Sequence, residues 1–388
     1  MIRSRIFPSL FSPAGRGSLY YLGFWASAGS FAPFINVYYV HLGLNGQQIG
    51  LLATLFPLTT LLFAMPLANL ADRRRWRIPI LRMAIAGSAL TFFLLGIPRT
   101  FPALAALVVL LSVFFTPVIP IGDSVVARMA ARNGLNYGSM RLWGSFGFAT
   151  LAITCGALWQ RLGFAPMFVV TSLLFVPVIW YAGWLDEGPV VTNDAHQSPT
   201  VILRDTGLVT ILVASFLVGL AIGVGVIFEG IYMDHLGGGE ALVGMLFGVA
   251  AFSELPSMYY SGLLAHYLRG PKTLLLAYGL MGGAYVGYAL VQSPGVLLLL
   301  AAVKGLGFGL FFVSTVRLVD ARAPEAWSST AQALLSAGIF GVAPLIAGPL
   351  GGAIYDSLGV AAVFLMGAAA VGVAAVVVAA ATVRGVLK

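Results

Sequence analysis

Residues 120–148, PIGDSVVARMAARNGLNYGSMRLWGSFGF, carry a carboxylate, Asp123, and a guanidinium, Arg141, at the facing ends of two apolar runs. A charge carried into a bilayer is costly and marks a candidate functional site. Arg141 offers a planar fork of donors to a polar or anionic group. The bland reading is an ion pair that clamps a helical hairpin. Phe148 follows Arg141 by two helical turns and shares its face.

Three more ionisable residues interrupt apolar sequence. Glu254 lies in AAFSELPSMYY, Lys304 in AAVKGLGFGLFF and Glu229 in VIFEGIYMDH. Burial disfavours an ionised carboxyl and brings proton exchange towards neutral pH. Lys304 falls ~14 Å along its segment, close to mid-bilayer. A buried lysine needs a counter-charge, and Glu254 is the natural candidate. The structural alternatives are a hydrogen-bonded Glu254 beside Pro256 and a Lys304 that snorkels to the surface. Glu229 is followed within two turns by Asp234 and His235. It reads as an interfacial residue able to gate or to carry a proton. Asn36 and Tyr38, with Tyr20, Tyr21 and Trp25, suit the wall of a cavity or the packing of a first helix.

The elements that must hold these groups follow from composition. Charged residues are 9% and apolar residues 60% of 388, against roughly 25% charge in a soluble globule. The chain is expected to be all-α and to span a membrane. About 20 apolar residues cross a bilayer core, and twelve such segments can be counted: 18–40, 49–70, 78–98, 102–127, 140–161, 164–184, 208–233, 241–266, 272–292, 295–318, 328–355 and 360–383. The longest polar connection, 186–207, separates 1–185 from 208–388, each expected to be a six-helix bundle.

Basic residues give the orientation. With both termini cytoplasmic, the outer loops hold only Arg99 and Arg161. The inner loops and tails hold fifteen, including Arg73, Arg74, Arg75 and Arg77. This disposes of the net charge of +8 without nucleic acid. The N-terminal stretch is broken by Pro8 and Pro13 and reads as a cytosolic tail, not a cleaved leader. A single cysteine, Cys155, excludes an intrachain disulfide. The halves also repeat. YYVHLGLNGQQIG (38–50) aligns without a gap on YMDHLGGGEALVG (232–244), and GALWQRLG (156–163) on GAIYDSLG (352–359).

ADRRRWR (71–77) resembles the G-x-x-x-D-R-x-G-R-R loop of the major facilitator superfamily. YGSMRLWGSFGF (137–148) is similar to the helix-5 entrance of its proton symporters of the 3-phenylpropionate and lactose permease type. The resemblance implies two pseudo-symmetric bundles with the site at their interface. It assigns substrate binding to Asp123, Arg141 and Phe148. It assigns proton coupling to Glu254 and gives Lys304 the place of a histidine, which leans towards an acidic substrate. Asp72 with Arg73 would latch helix ends, with His266 in the repeat position.

The expected function is therefore proton-coupled symport of a small organic solute, an aromatic acid, nucleoside or glycoside, by alternating access. The substrate residues are Asp123, Arg141, Phe148, Lys304, Asn36 and Tyr38, and the coupling residues Glu254, Lys304 and Glu229. No cofactor beyond the proton gradient is expected, and no metal. The protein is expected to act as a monomer in the plasma (inner) membrane. The alternative is a proton-driven efflux antiporter of small amphipathic compounds, against which helix 5 lacks a Gly-Pro stretch. A membrane enzyme or receptor is remote: H-E-x-x-H is absent and the four histidines are scattered.

Overall fold

A computed structural model describes residues 11–74, 76–186, 204–268, 270–324 and 327–387. The described residues are helical almost throughout. Nine of the twelve expected stretches are single helices and three are broken. The first stretch is α1 (Pro13–Phe31) and α2 (Ile35–His41), and the second is α3 (Gly46–Arg74). Next come α4 (Arg77–Leu95), then α5 (Phe101–Phe115) with α6 (Val118–Arg132) as one bent stretch. α7 (Tyr137–Leu162), α8 (Ala165–Gly183), α9 (Thr206–His235), α10 (Gly239–Leu268), α11 (Gly270–Leu290) and α12 (Pro294–Arg322) follow. α13 (Ser328–Ser336), a π turn (Ala337–Val342) and α14 (Ala343–Leu358) share one stretch, and α15 (Val360–Val383) closes the chain. The breaks after α1 and α5 fall at Pro33 and Pro117, where a missing N–H and the ring interrupt the helical ladder. Eleven of the described helical stretches are long and apolar enough to cross a membrane.

By internal contacts the chain forms two units, residues 1–35 with 59–192 and residues 36–58 with 193–388. α2 and the first half of α3 group by contacts with the second unit.

In the first unit α1 runs along α7, and α4 along α8. The α1–α7 seam is close because it is lined with glycine. A Cβ at Gly147 would lie 2.6 Å from the Leu22 carbonyl oxygen, and one at Gly17 2.6 Å from the Met140 sulfur. Phe24, Phe92 and Phe175 are buried behind it.

In the second unit α10 packs on α12, and α15 on α9 and α11. Gly305 meets the backbone of Ala250, and Gly309 that of Glu254. The start of α3 crosses α14 through Gly46 and Gly50 against Gly348 and Gly352. Asp356 caps that start: its Oδ1 accepts from the Gly46 amide at 2.7 Å and its Oδ2 from the Gln47 amide at 2.9 Å. Asn45 takes the next amide, that of Gln48, at 2.8 Å. A carboxylate at a helix N-terminus meets both its orphan donors and its dipole.

The duplication is visible in the backbone. Gly43 and Gly237 have φ of 83° and 78°, and Gly163 and Gly359 have 72° and 82°. Each pair occupies matching positions of the two sequence repeats, in a conformation that favours glycine.

Candidate functional site

Asp123, Arg141 and Phe148 lie in the first unit. α6 continues to Arg132, so Asp123 is nine residues inside its helix and not at a loop edge. α7 is started by Asn136, whose side chain accepts from the Gly138 amide at 2.8 Å. That start places Tyr137 and Arg141 one turn apart on one face. Across the glycine seam, α1 presents Tyr21 and Trp25, also one turn apart. The two pairs interleave.

Tyr21 donates to Asp123 Oδ1 at 2.6 Å. Its hydroxyl is 2.9 Å from that of Tyr137. The Arg141 guanidinium carbon is 4.5 Å from the Trp25 ring centre and 5.3 Å from that of Tyr21. This is cation–π geometry. Among the described residues none accepts a hydrogen bond from Arg141, so its N–H edge is available to a ligand. Gly144 makes room for this arrangement: a Cβ there would be 2.6 Å from Trp25 and 2.8 Å from Arg141 Nη1. Phe148 extends the aromatic wall, its ring 6.4 Å from Trp25 and edge-on.

The second unit holds the other cluster. Lys304 Nζ is paired with Glu229 Oε2. Here the structure corrects one sequence expectation. The expected counter-charge of Lys304 was Glu254, whereas its salt bridge is to Glu229. The Glu229 side chain is 2% exposed. Its neighbours on α11 and α12 close over it. Gly225, one turn earlier, leaves the carboxylate space against Tyr285: a Cβ there would be 2.5 Å from Glu229 Oε1 and 2.6 Å from the Tyr285 hydroxyl. That hydroxyl donates to the Ala221 carbonyl at 2.7 Å. Glu229 Oε1 is buried without a hydrogen-bond partner. The Tyr288 hydroxyl is likewise buried and without a hydrogen bond.

Glu254 is half-buried on α10, with its carbonyl accepting from Ser257 Oγ at 2.9 Å. By the Gly305–Ala250 and Gly309–Glu254 register, Lys304 sits more than a turn along the seam from it. Asn36 is 9% exposed and donates to the Val226 carbonyl at 3.4 Å, and Tyr38 is 5% exposed. Both belong to the second unit. His41 pairs with Asp234 at 3.0 Å. The side chains of Asp72, Arg73 and His266 lie outside the described residues.

Tyr137, Tyr285, Tyr288, Gly144 and Gly225 escaped the sequence reading as site residues. Tyr137 carried a signal, its one-turn spacing from Arg141. The glycines and the α11 tyrosines carried none.

Two charged clusters held among membrane-length helices, in a chain built of two repeats, define a membrane transporter of the major facilitator type. The profile of the MFS_1-like family matches residues 16–366, and the chain belongs to that family, whose members are transporters and not enzymes. It is 29% identical over 351 residues to the maltose permease of Geobacillus stearothermophilus, covering 89% of each chain. It is 23% identical over 344 residues to YegT of Escherichia coli (strain K12), provisionally named a nucleoside transporter, covering 81% of this chain and 78% of that one. The crystal structure of the nucleoside transporter NupG superposes with a TM-score of 0.79 at 15% identity, over 95% of this chain and 98% of that one. This last likeness carries the fold.

Proposed function

We propose that this transporter carries a small organic solute together with a proton, by alternating access, and that the solute is a neutral nucleoside or glycoside. The observation that carries the proton part is Glu229. One carboxylate oxygen holds Lys304 and the other is buried and open. A proton taken on Oε1 neutralises Glu229 and releases the Lys304 ammonium from its partner. Such a pair exists in two charge states inside one packed seam, as a coupling element requires.

The solute part rests on the first unit. Arg141 offers its N–H edge to ring nitrogens, carbonyls or hydroxyls, while Trp25, Tyr21 and Phe148 offer faces on which a ring stacks. Asp123 is held by phenols and accepts from a donor on the solute. Asp123 balances Arg141 in charge, and Glu229 balances Lys304. The lean towards an acid came from a lysine in the place of a histidine; paired with Glu229, Lys304 no longer calls for an anion. The names of the maltose permease and of YegT agree with a neutral, ring-bearing solute. The protein acts as a monomer, without a cofactor beyond the proton gradient. Both termini face the cytoplasm of a plasma (inner) membrane, as the basic loops indicate.

The test is transport in proteoliposomes loaded with a pH-sensitive dye, using a nucleoside, maltose and an aromatic acid as solutes. Solute-driven proton entry with a neutral solute is expected. Glu229→Gln should bind and exchange solute but lose uphill accumulation. If Glu254→Gln loses accumulation and Glu229→Gln keeps it, the proton site is on α10. Proton movement opposite to the solute would make the protein an antiporter.

A further inference from the structure

At one end of the first unit, α1 and α4 begin and α8 ends. A cavity of about 640 Å³ opens there, lined by Phe11, Arg16, Ile78, Gly183, Trp184 and Asp186 among others. Its size is that of a small-molecule site, roughly 300–1,000 Å³. Arg16 Nε donates to the Phe11 carbonyl at 3.0 Å and Nη1 to the Trp184 carbonyl at 3.3 Å. Neutral carbonyls fix this guanidinium without cancelling its charge. The carboxylate of the lining, Asp186, is claimed by Arg132 at 3.0 Å.

Arg82 adds a second positive charge. It follows Ile78 by one turn on the same face of α4. Its Nη1 would be 3.6 Å from a Cβ on Gly183, which brings it to the cavity rim. It is exposed, and among the described residues it has no hydrogen-bond partner. It also sits about 7.5 Å into a membrane-length segment, where a charge without an anion is costly.

From the rim an apolar strip runs up α8 through Trp184, Trp180 and Leu173, which are 40%, 61% and 63% exposed and spaced to share one face. A soluble anion has no use for such a strip; acyl chains do.

We propose that this cavity binds the headgroup of an anionic phospholipid, its phosphate held between Arg16 and Arg82 and its chains lying along Trp180 and Leu173. Guanidinium forks match phosphate oxygens, tryptophans favour the headgroup level, and basic pockets at the cytoplasmic ends of helices suit anionic lipids. This site is separate from the clusters assigned to transport, and its test does not depend on them.

The test uses the purified full chain in neutral detergent, titrated with phosphatidylglycerol, phosphatidylcholine or glycerol 1-phosphate. Unfolding is followed with a thiol-reactive dye on Cys155, the sole cysteine, which is buried in the same unit. Phosphatidylglycerol should raise the midpoint and phosphatidylcholine should not. Arg82→Gln should weaken the phosphatidylglycerol effect about tenfold in concentration, equivalent to about 1.4 kcal/mol. Arg161→Gln, at the other end of the unit, should leave it unchanged. Arg16→Gln also removes two bonds that hold the N-terminal turn, so Arg82→Gln decides. An equal response to both lipids, or a wild-type response in Arg82→Gln, overturns the site. Equal protection by glycerol 1-phosphate overturns the lipid in favour of a soluble phosphate.

Discussion

Removing one member of the Glu229–Lys304 pair tests whether the two act as a buried unit. Glu229 is 2% and Lys304 16% exposed at the side chain. Breaking such a pair from one side costs about 3–5 kcal/mol, because the other charge stays buried without its partner. For a unit the size of residues 36–58 with 193–388, 1 kcal/mol moves the midpoint by roughly 2–4 °C. Glu229→Gln should therefore lower it by roughly 6–20 °C, and Lys304→Met by a similar amount. The double variant should recover much of the loss, since it leaves no buried charge without its partner. Melting followed by far-UV circular dichroism gives the four midpoints of the cycle. A double-variant shift equal to the sum of the single shifts would refute the reasoning, as would single variants that melt with the wild type.

Three further outcomes follow from the geometry. Arg141→Gln should abolish measurable solute binding in equilibrium dialysis while the melting curve is retained, and Arg141→Lys should not rescue it, because an ammonium lacks the planar fork that stacks on Trp25. Gly144→Ala should weaken solute binding without abolishing it, since its Cβ would meet Trp25 and Arg141 at 2.6 and 2.8 Å and push the guanidinium aside. Asp356→Ala should speed hydrogen exchange at the Gly46 and Gln47 amides by about tenfold or more, the worth of a charge-assisted hydrogen bond on each, with the Gln48 amide, held by Asn45, changing less.

Charges are so rare in this chain that Asp123, Arg141, Glu229, Glu254 and Lys304 could be picked from sequence alone. Their partners could not. VIFEGIYMDH marks Glu229 as ionisable in an apolar run; that α11 and α12 cover its side chain is a matter of packing. Lys304 was matched to the carboxylate at a similar apparent depth, while its position on α12 turns it to α9. Pro33 and Pro117 were in view, but apolar runs read straight through them, since hydropathy does not register a lost N–H. The π turn at Ala337–Val342 has no local sequence signature. The repeats were legible because matching turns need glycine in the same left-handed conformation, at Gly43 and Gly237 and at Gly163 and Gly359. The grouping of residues 36–58 with the second unit was not, because chain continuity is visible in sequence and packing is not.

The coupling of solute to proton is tested most directly by measuring both fluxes in the same proteoliposomes, with a neutral nucleoside or maltose and no imposed gradient. The account predicts that adding solute outside the vesicles acidifies the lumen in the wild type and not in Glu229→Gln, although the variant still exchanges labelled solute. Solute uptake by the wild type with no proton entry, or undiminished proton entry in Glu229→Gln, would contradict it.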